Sequence, residues 1–408
     1  MKAQGQAFYL LGALLLGVSG LSACTSATPR LNSDAAQSAP SIRIATFNVS
    51  MDGSNYNEHF TSLTQSPLPQ LLAEGSHKQI HNIAAIIQAV RPDVILLNEF
   101  DFTGDWQQNV ALFQQNFLTQ THGDYQAISY QYSYAAPVNT GVASEYDFDG
   151  NGKKTGIAGD AYGFGFYPGQ YGMLLLSRFP IDTDAVRTFQ HLPWHTQSGA
   201  SMPQLEGQPF YDQQTWQAAR LSSKSFWDIP LEIAGERLHI LASHPTPPVF
   251  DGAEDRNGLR NFAEIKLVAD YITTPAPGYL VDDKGQAGGL SGDTRFVILG
   301  DLNVAPQGPK ARPEAIDQLL KHPKVDSSLI PVSKGGAESS TEPFAKFYTA
   351  SWQARVDYVL PSQFGLQSVA SGVYWPGQGE SGYELVRDRK LSSDHRLVWM
   401  DVQIITNE

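Results

Sequence analysis

Along the chain, short apolar runs end abruptly in polar side chains. In 295–306, "RFVILGDLNVAP", Phe296 to Leu299 form an apolar run that gives way, after Gly300, to Asp301 and Asn303. Ile42, Ile44 and Thr46 alternate with Arg43, Ala45 and Phe47 and lead to Asn48, which predicts a strand. Val94–Leu97 is a continuous apolar run closed by Asn98, Glu99 and Phe100. The segment Tyr171–Ile181 reads as another buried strand. Ile229–Ile233 and Arg237–Ala242 read as a hairpin turning at Gly235, and its second strand runs on to His244. Asp357 lies within "ARVDYVL", and Asp394 and His395 precede the last apolar run.

Helical spacing is present but less frequent. Ile80, Ile83, Ala84, Ile87 and Val90 fall on one helical face, and Pro92 stops that helix. The pattern predicts further helices over Trp106–Leu118 and Asp255–Thr273, the latter presenting Leu259, Phe262, Ile265, Lys266, Ala269 and Ile272. Residues 188–216 read as an insertion loop. Strands outnumber helices without strict βαβ alternation, which favours an α+β sandwich with mixed sheets over a parallel doubly wound sheet.

Composition narrows this picture. A chain of 408 residues with 41% hydrophobic and 17% charged residues folds around a sizeable core. The net charge of −13 disfavours sequence-independent binding of duplex nucleic acid, which needs a basic face. A small phosphate ester needs no such face. Residues 1–23 carry Lys2, an apolar stretch from about Ala7 to Leu21 and then small residues, the pattern of an export signal. "LSAC" at 21–24 resembles a bacterial lipobox, which implies a lipid on Cys24, the only cysteine. The expectation is an exported cell-envelope lipoprotein, sorted to the outer membrane in a Gram-negative host. Residues 24–41 read as a flexible tether, with one catalytic domain over 42–408.

Each polar strand tip alone would pass as a turn residue. Together, Asn48, Glu99, His244, Asp301, Asn303, Asp357, Asp394 and His395 supply hard oxygen ligands for a divalent cation and imidazoles for proton transfer. In this order, "ATFNV", "PDVILLNEF", "GMLLLSRFPI", "ILASHPTP", "VILGDLNVAP", "ARVDYVL" and "SSDHRLVWM" resemble the endonuclease/exonuclease/phosphatase superfamily, which includes DNase I-like nucleases, sphingomyelinases and inositol polyphosphate phosphatases. The motifs span about residues 42–403.

The resemblance implies a four-layered α/β/β/α sandwich, with two β-sheets face to face and helices outside. It implies Mg2+ (or Mn2+) held by Glu99 and Asn48, with Asp394 assisting. It further implies that Asp301 handles the attacking water, Asn303 contacts the phosphoryl group, and His395 is the essential histidine, oriented by Asp357. His244 would be a general acid for the leaving group. The expected activity is metal-dependent hydrolysis of a phosphodiester or phosphomonoester by in-line attack. Alternatives are an extracellular DNase I-like nuclease and a non-catalytic, lipid-anchored binding protein on the same fold. Leu302 stands where many relatives have an aromatic, a small change, while Pro245 is unusual for nuclease branches and the segments 131–170 and 188–216 match no branch signature, so the resemblance implies no particular substrate.

A second acidic stretch, "EYDFDGNGKKTG", places Asp147, Asp149 and Asn151 at alternate positions before Gly152, like the first half of a calcium loop. Ala158 occupies the twelfth position, where such a loop has Glu, and Asp160 could substitute. The two readings are a structural Ca2+ site and a polar hairpin turn.

Overall fold

The computed structural model describes residues 41–405. The signal segment, Cys24 and residues 24–40 of the tether lie outside the described residues. Among the described residues, thirteen strands run in chain order: β1 (Ile42–Met51), β2 (Val94–Phe100), β3 (Tyr132–Tyr134), β4 (Met173–Ser177), β5 (Arg187–Thr188), β6 (Gln204–Leu205), β7 (Gln208–Pro209), β8 (Phe226–Ile233), β9 (Glu236–Ser243), β10 (Phe296–Asp301), β11 (Asp357–Pro361), β12 (Leu366–Val373) and β13 (Val398–Ile404). One six-stranded sheet has the order β12-β13-β1-β2-β4-β3, and a five-stranded sheet the order β11-β10-β9-β8-β5. β1 and β2 are parallel, as are β9 and β10, while the remaining pairs within both sheets are antiparallel. Both sheets are therefore mixed. β6 and β7 form a separate small hairpin.

The layers follow from which side chains point where. On β1, Ile42 and Ile44 join a core shared with Ile240, Val297 and Leu299 of the other sheet. The alternate side chains, Ala45, Phe47 and Val49, pack under Ile80, Ile83 and Ile87 of the helix Lys78–Val90. A third core sets Leu241 and Ile298 of the five-stranded sheet against Ile265 and Val268 of the helix Arg256–Ile272. Helix, sheet, sheet and helix form the four layers expected from the sequence. Because both faces of the central strands are covered, their apolar runs are continuous.

Local differences have local causes. The Trp106–Leu118 helix is α-helical over Trp106–Phe113 and widens into a π-helical turn over Gln114–Leu118. The insertion over 188–216 is not a bare loop: it carries β6, β7 and the helix Gln213–Ala218, whose start Asp212 caps by accepting from the Thr215 N–H. Phe262, expected on the packed face of its helix, is 37% exposed. No helix among the described residues is long and apolar enough to cross a membrane.

Two features aim the strand ends. β1 and β2 lose register between Asn48 and Met51, where Ser50 adopts a left-handed φ of 46°. On β10, a Cβ added at Gly300 would stand 1.8 Å from the Ser243 carbonyl oxygen. Only glycine lets β10 approach β9 this closely immediately before Asp301.

Candidate active site

The ends of β1, β2, β9, β10 and β11 converge at the seam between the two sheets. Asn48 of one sheet donates from Nδ2 to Oδ2 of Asp301 on the other, at 3.0 Å. The Asp301 N–H donates to Asn98 Oδ1 at 3.2 Å, which also accepts from Thr46 Oγ1. These bonds join the two sheets through buried polar groups. Asp301 Oδ1 accepts the N–H of Asn303 at 3.0 Å, which leaves Oδ2 as the oxygen facing the site. Burial raises the Asp301 pKa to about 6, against the opposing pull of His395.

His395 stands between two carboxylates. Its Nδ1 lies 3.0 Å from Asp357 Oδ2 and its Nε2 lies 3.4 Å from Asp301 Oδ2. Asp357 is held in turn by Thr349, whose hydroxyl donates to Oδ2 at 2.7 Å. Burial lowers the His395 pKa, but Asp357 and Asp301 outweigh burial and raise it to about 10. The imidazole is thus cationic at neutral pH, with Asp357 in contact with its Nδ1. Trp352, 46% exposed, meets His395 edge-on with ring centroids 4.7 Å apart.

Glu99 lies beside this pair in a left-handed conformation, φ 57°, at the tip of β2. Burial together with Asp52 raises its pKa to about 8, against the opposing pull of His395 and the Asn48 amide. Asp52 is itself buried and accepts from the Ser54 N–H at 2.8 Å. Behind it, Asp101 accepts from Ser66 Oγ, Tyr167 OH and the Tyr171 N–H, yet burial and Asp52 still raise its pKa to about 8. Several carboxylates are therefore crowded with too little positive charge, an environment that favours a cation. Asp394 adds another, within 3.3 Å of both Ser50 Oγ and Arg389 Nη1.

His244 completes the cluster, its Nε2 3.6 Å from Asp301 Oδ2. Both ring nitrogens are buried without a hydrogen-bond partner. Burial first, then Lys224 and His395, push its pKa well below the usual imidazole value. Lys224 is buried just ahead of β8, where the antiparallel pairing of Phe226 with Ser243 carries it alongside the His244 turn. Burial lowers the Lys224 pKa, while Glu264, Glu99 and Asp301 oppose that shift. Asn303, φ 54°, turns its amide to the Pro245 carbonyl at 3.1 Å, in the same turn.

All eight residues singled out at strand tips thus belong to one site. Asp52, Asn98 and Lys224 lie in the same cluster. Asn98 was visible next to Glu99, but Asp52 and Lys224 sit in polar stretches without a strand signal. Arg260, by contrast, is structural: buried, it donates to the carbonyls of Tyr162, Arg220, Leu221 and Ser222. Arg178 pairs with Asp93 at the opposite end of β2.

The second acidic stretch folds as a separate loop. Carboxylate oxygens of Asp147, Asp149 and Asp160 lie within 4.8 Å of one another. Asp160 thus joins Asp147 and Asp149, two of the three residues picked out by spacing. Asn151 Oδ1 accepts from the Lys153 N–H, and Asp147 accepts from Gly150, Asn151 and Gly152.

The two-sheet sandwich thus carries an imidazole–carboxylate cluster at its strand ends. The chain belongs to the Endonuclease/Exonuclease/phosphatase family, whose model matches residues 45–395. Among solved structures it is similar to an endonuclease/exonuclease/phosphatase from Beutenbergia cavernae DSM 12333, with 16% identity, 89% of this chain and 72% of that chain covered, and a TM-score of 0.48. It is similar to the beta toxin of Staphylococcus aureus with bound magnesium ions, at 14% identity, 90% and 100% coverage and a TM-score of 0.43. Sphingomyelinase C from Streptomyces griseocarneus is similar at 15% identity, 89% and 99% coverage and a TM-score of 0.42. No curated protein matches the sequence.

Proposed function

We propose that the protein is a metal-dependent phosphoesterase that hydrolyses a small phosphate ester by in-line attack of water. The observation that carries this reading is Asp301 Oδ2, which faces Asn48, His395 and His244 at once. Glu99 and Asn48, with Asp394 beside them, are the residues that would hold a divalent cation, Mg2+ or Mn2+. When bound, the cation supplies Lewis-acid polarisation of a phosphoryl oxygen.

The chain's own groups divide the remaining work. Asp301, with a pKa of about 6, is ionised at neutral pH and accepts the proton of the attacking water. Cationic His395 stabilises negative charge on the phosphoryl oxygens and is too basic to act first as a base. Asn303 releases the Pro245 carbonyl to donate to the phosphoryl group. His244, held neutral, enters as a hydrogen-bond donor toward the phosphoryl or leaving-group oxygen, instead of the resting imidazolium that a general acid requires.

The net charge of −13 favours a small diester, a lipid headgroup or a sugar phosphate over duplex DNA. The reading extends to the ends of the chain: export by residues 1–23, lipid on Cys24, and a cell-envelope location with the membrane engaged through that anchor. A Ca2+ ion in the Asp147–Asp149–Asp160 loop would serve to hold that loop.

A screen of bis(p-nitrophenyl) phosphate, phosphomonoesters, phospholipids and DNA, each with Mg2+ and with EDTA, tests the proposal. Turnover of a small ester that EDTA stops supports it. Preferential cleavage of DNA assigns a nuclease, and no turnover of any substrate leaves a binding protein.

A further inference from the structure

A second cluster of imidazoles lies apart from the residues of the active site. A cleft of about 410 Å³ is lined by Glu74, His81, Asn116, Gln120 and His122, among others. His81 projects from the helix Lys78–Val90, and His122 follows the π-helical turn Gln114–Leu118. Both side chains are half-buried, and their ring centroids are 5.1 Å apart at 64°.

The hydrogen bonds fix which nitrogen of each ring is free. His81 Nε2 lies 3.0 Å from the Gly75 carbonyl oxygen, and His122 Nε2 lies 2.8 Å from that of Phe117. A carbonyl only accepts, so each Nε2 carries the hydrogen and each Nδ1 of the neutral ring keeps its lone pair. Burial keeps the His122 pKa below its ordinary value, and His81 lowers it further. A ring anchored through one N–H on a backbone carbonyl, with its other nitrogen bare, is the arrangement of a metal-binding histidine.

The separation of the two rings is compatible with a shared ion. Zinc–imidazole bonds of about 2.05 Å on a tetrahedral centre set the two ring centroids about 5.2 Å apart. Glu74 lies at the end of the helix Leu68–Glu74 and lines the same cleft; its Oε1 accepts from Gln70 at 2.8 Å. The three side chains do not bring their ligand atoms together in this conformation, so the exposed Glu74 side chain must leave Gln70 and turn toward the two rings to provide a third ligand.

We propose that His81 and His122, joined by Glu74, form a binding site for a zinc-class divalent cation, one that takes imidazole nitrogen in preference to Mg2+. An ion there ties the end of the Leu68–Glu74 helix to the 119–123 turn.

Zn2+ titrated into the full chain in excess Mg2+, against a chromophoric chelator, tests the site. The wild type should take up one Zn2+ equivalent with a Kd at or below the micromolar range. His81→Ala and His122→Gln should each weaken uptake by about 10²-fold or more, and Glu74→Gln by severalfold, with Mg2+-supported hydrolysis unchanged. Co2+ should give a tetrahedral visible absorption band in the wild type that His122→Gln abolishes. His122→Gln keeps a polar side chain in a half-buried turn, so it reports on the ion even if His81→Ala, which removes a ring packed on Phe117, loosens the fold. Absence of Zn2+ uptake by the wild type, or equal uptake by the His81→Ala/His122→Gln double variant, would overturn the proposal. Neither outcome depends on whether the chain hydrolyses phosphate esters.

Discussion

Asn48 and Asp301 lie 253 residues apart in the chain and 3.0 Å apart in the fold, one on each sheet. Their bond sits where β1 loses register against β2 and β10 crowds β9, so the two strand ends that aim the site are also the ends it joins. Asn48→Asp would place a second carboxylate against Asp301 in a buried setting. Like charge should then raise the Asp301 pKa above its present value of about 6. The acidic limb of the hydrolysis pH–rate profile should move upward, and the rate at neutral pH should fall by about 10²–10³. An unmoved acidic limb would detach that limb from Asp301.

The His395–Asp357 contact carries a separate expectation. Asp357→Asn removes one of the carboxylates that hold the imidazole cationic while keeping the shape of the side chain. The His395 pKa should fall from about 10 toward the ordinary value, read from its ring-proton shifts in NMR. Activity should drop by about 10²–10⁴, as when an oriented catalytic imidazole loses its partner. An unchanged titration would show that Asp301 alone sustains the charge.

How much of this was legible beforehand differs by element. The central strands announced themselves because sheets covered on both faces need continuous apolar runs, and Val94–Leu97 and Phe296–Leu299 are such runs. Their polar tips were visible for the same reason, as interruptions. Asp52 gave no signal, because its role depends on the register shift that follows Asn48, and a bulge has no period. Lys224 lies in a Ser-rich stretch, and only pairing of β8 with β9 carries it alongside His244. The Asp160 contribution to the acidic loop was foreseen as a substitute, whereas the His81–His122 pair, 41 residues apart, joins only once the helix and turn pack.

Gly300→Ala probes the support beneath Asp301. Its Cβ would stand 1.8 Å from the Ser243 carbonyl, which belongs to a paired strand and has little room to retreat. β10 should shift away from β9, lowering stability by about 1–3 kcal/mol or more in urea unfolding. Activity should fall as well, since Asp301 follows directly. Wild-type stability and rate together would refute the close approach.

Removal of metal should give the protein an unusual response to pH. Glu99 and Asp101 have folded-state pKa values of about 8, against unfolded values near 4, so the folded state binds more protons between those limits. Stability from these groups is fully present below pH 4 and is lost as pH rises through 8. His395 acts with the same sign, its contribution present below pH 6.5 and lost as pH rises through about 10. His244 opposes them on the acid side, because a group kept neutral in the fold loses its contribution below the ordinary imidazole value. The protein in EDTA should therefore be most stable near pH 4, where two carboxylates outweigh the one opposing imidazole at every higher pH, and weaken steadily toward pH 9. Saturating Mg2+ should flatten that decline, because the cation replaces protons in relieving the crowded Glu99 carboxylate. Urea midpoints measured across this range with EDTA and with Mg2+ check both parts. A metal-free protein that grows more stable from pH 5.5 to 8.5 would show that these carboxylates are ionised at no cost, and the case for a cation at Glu99 would lose its physical basis.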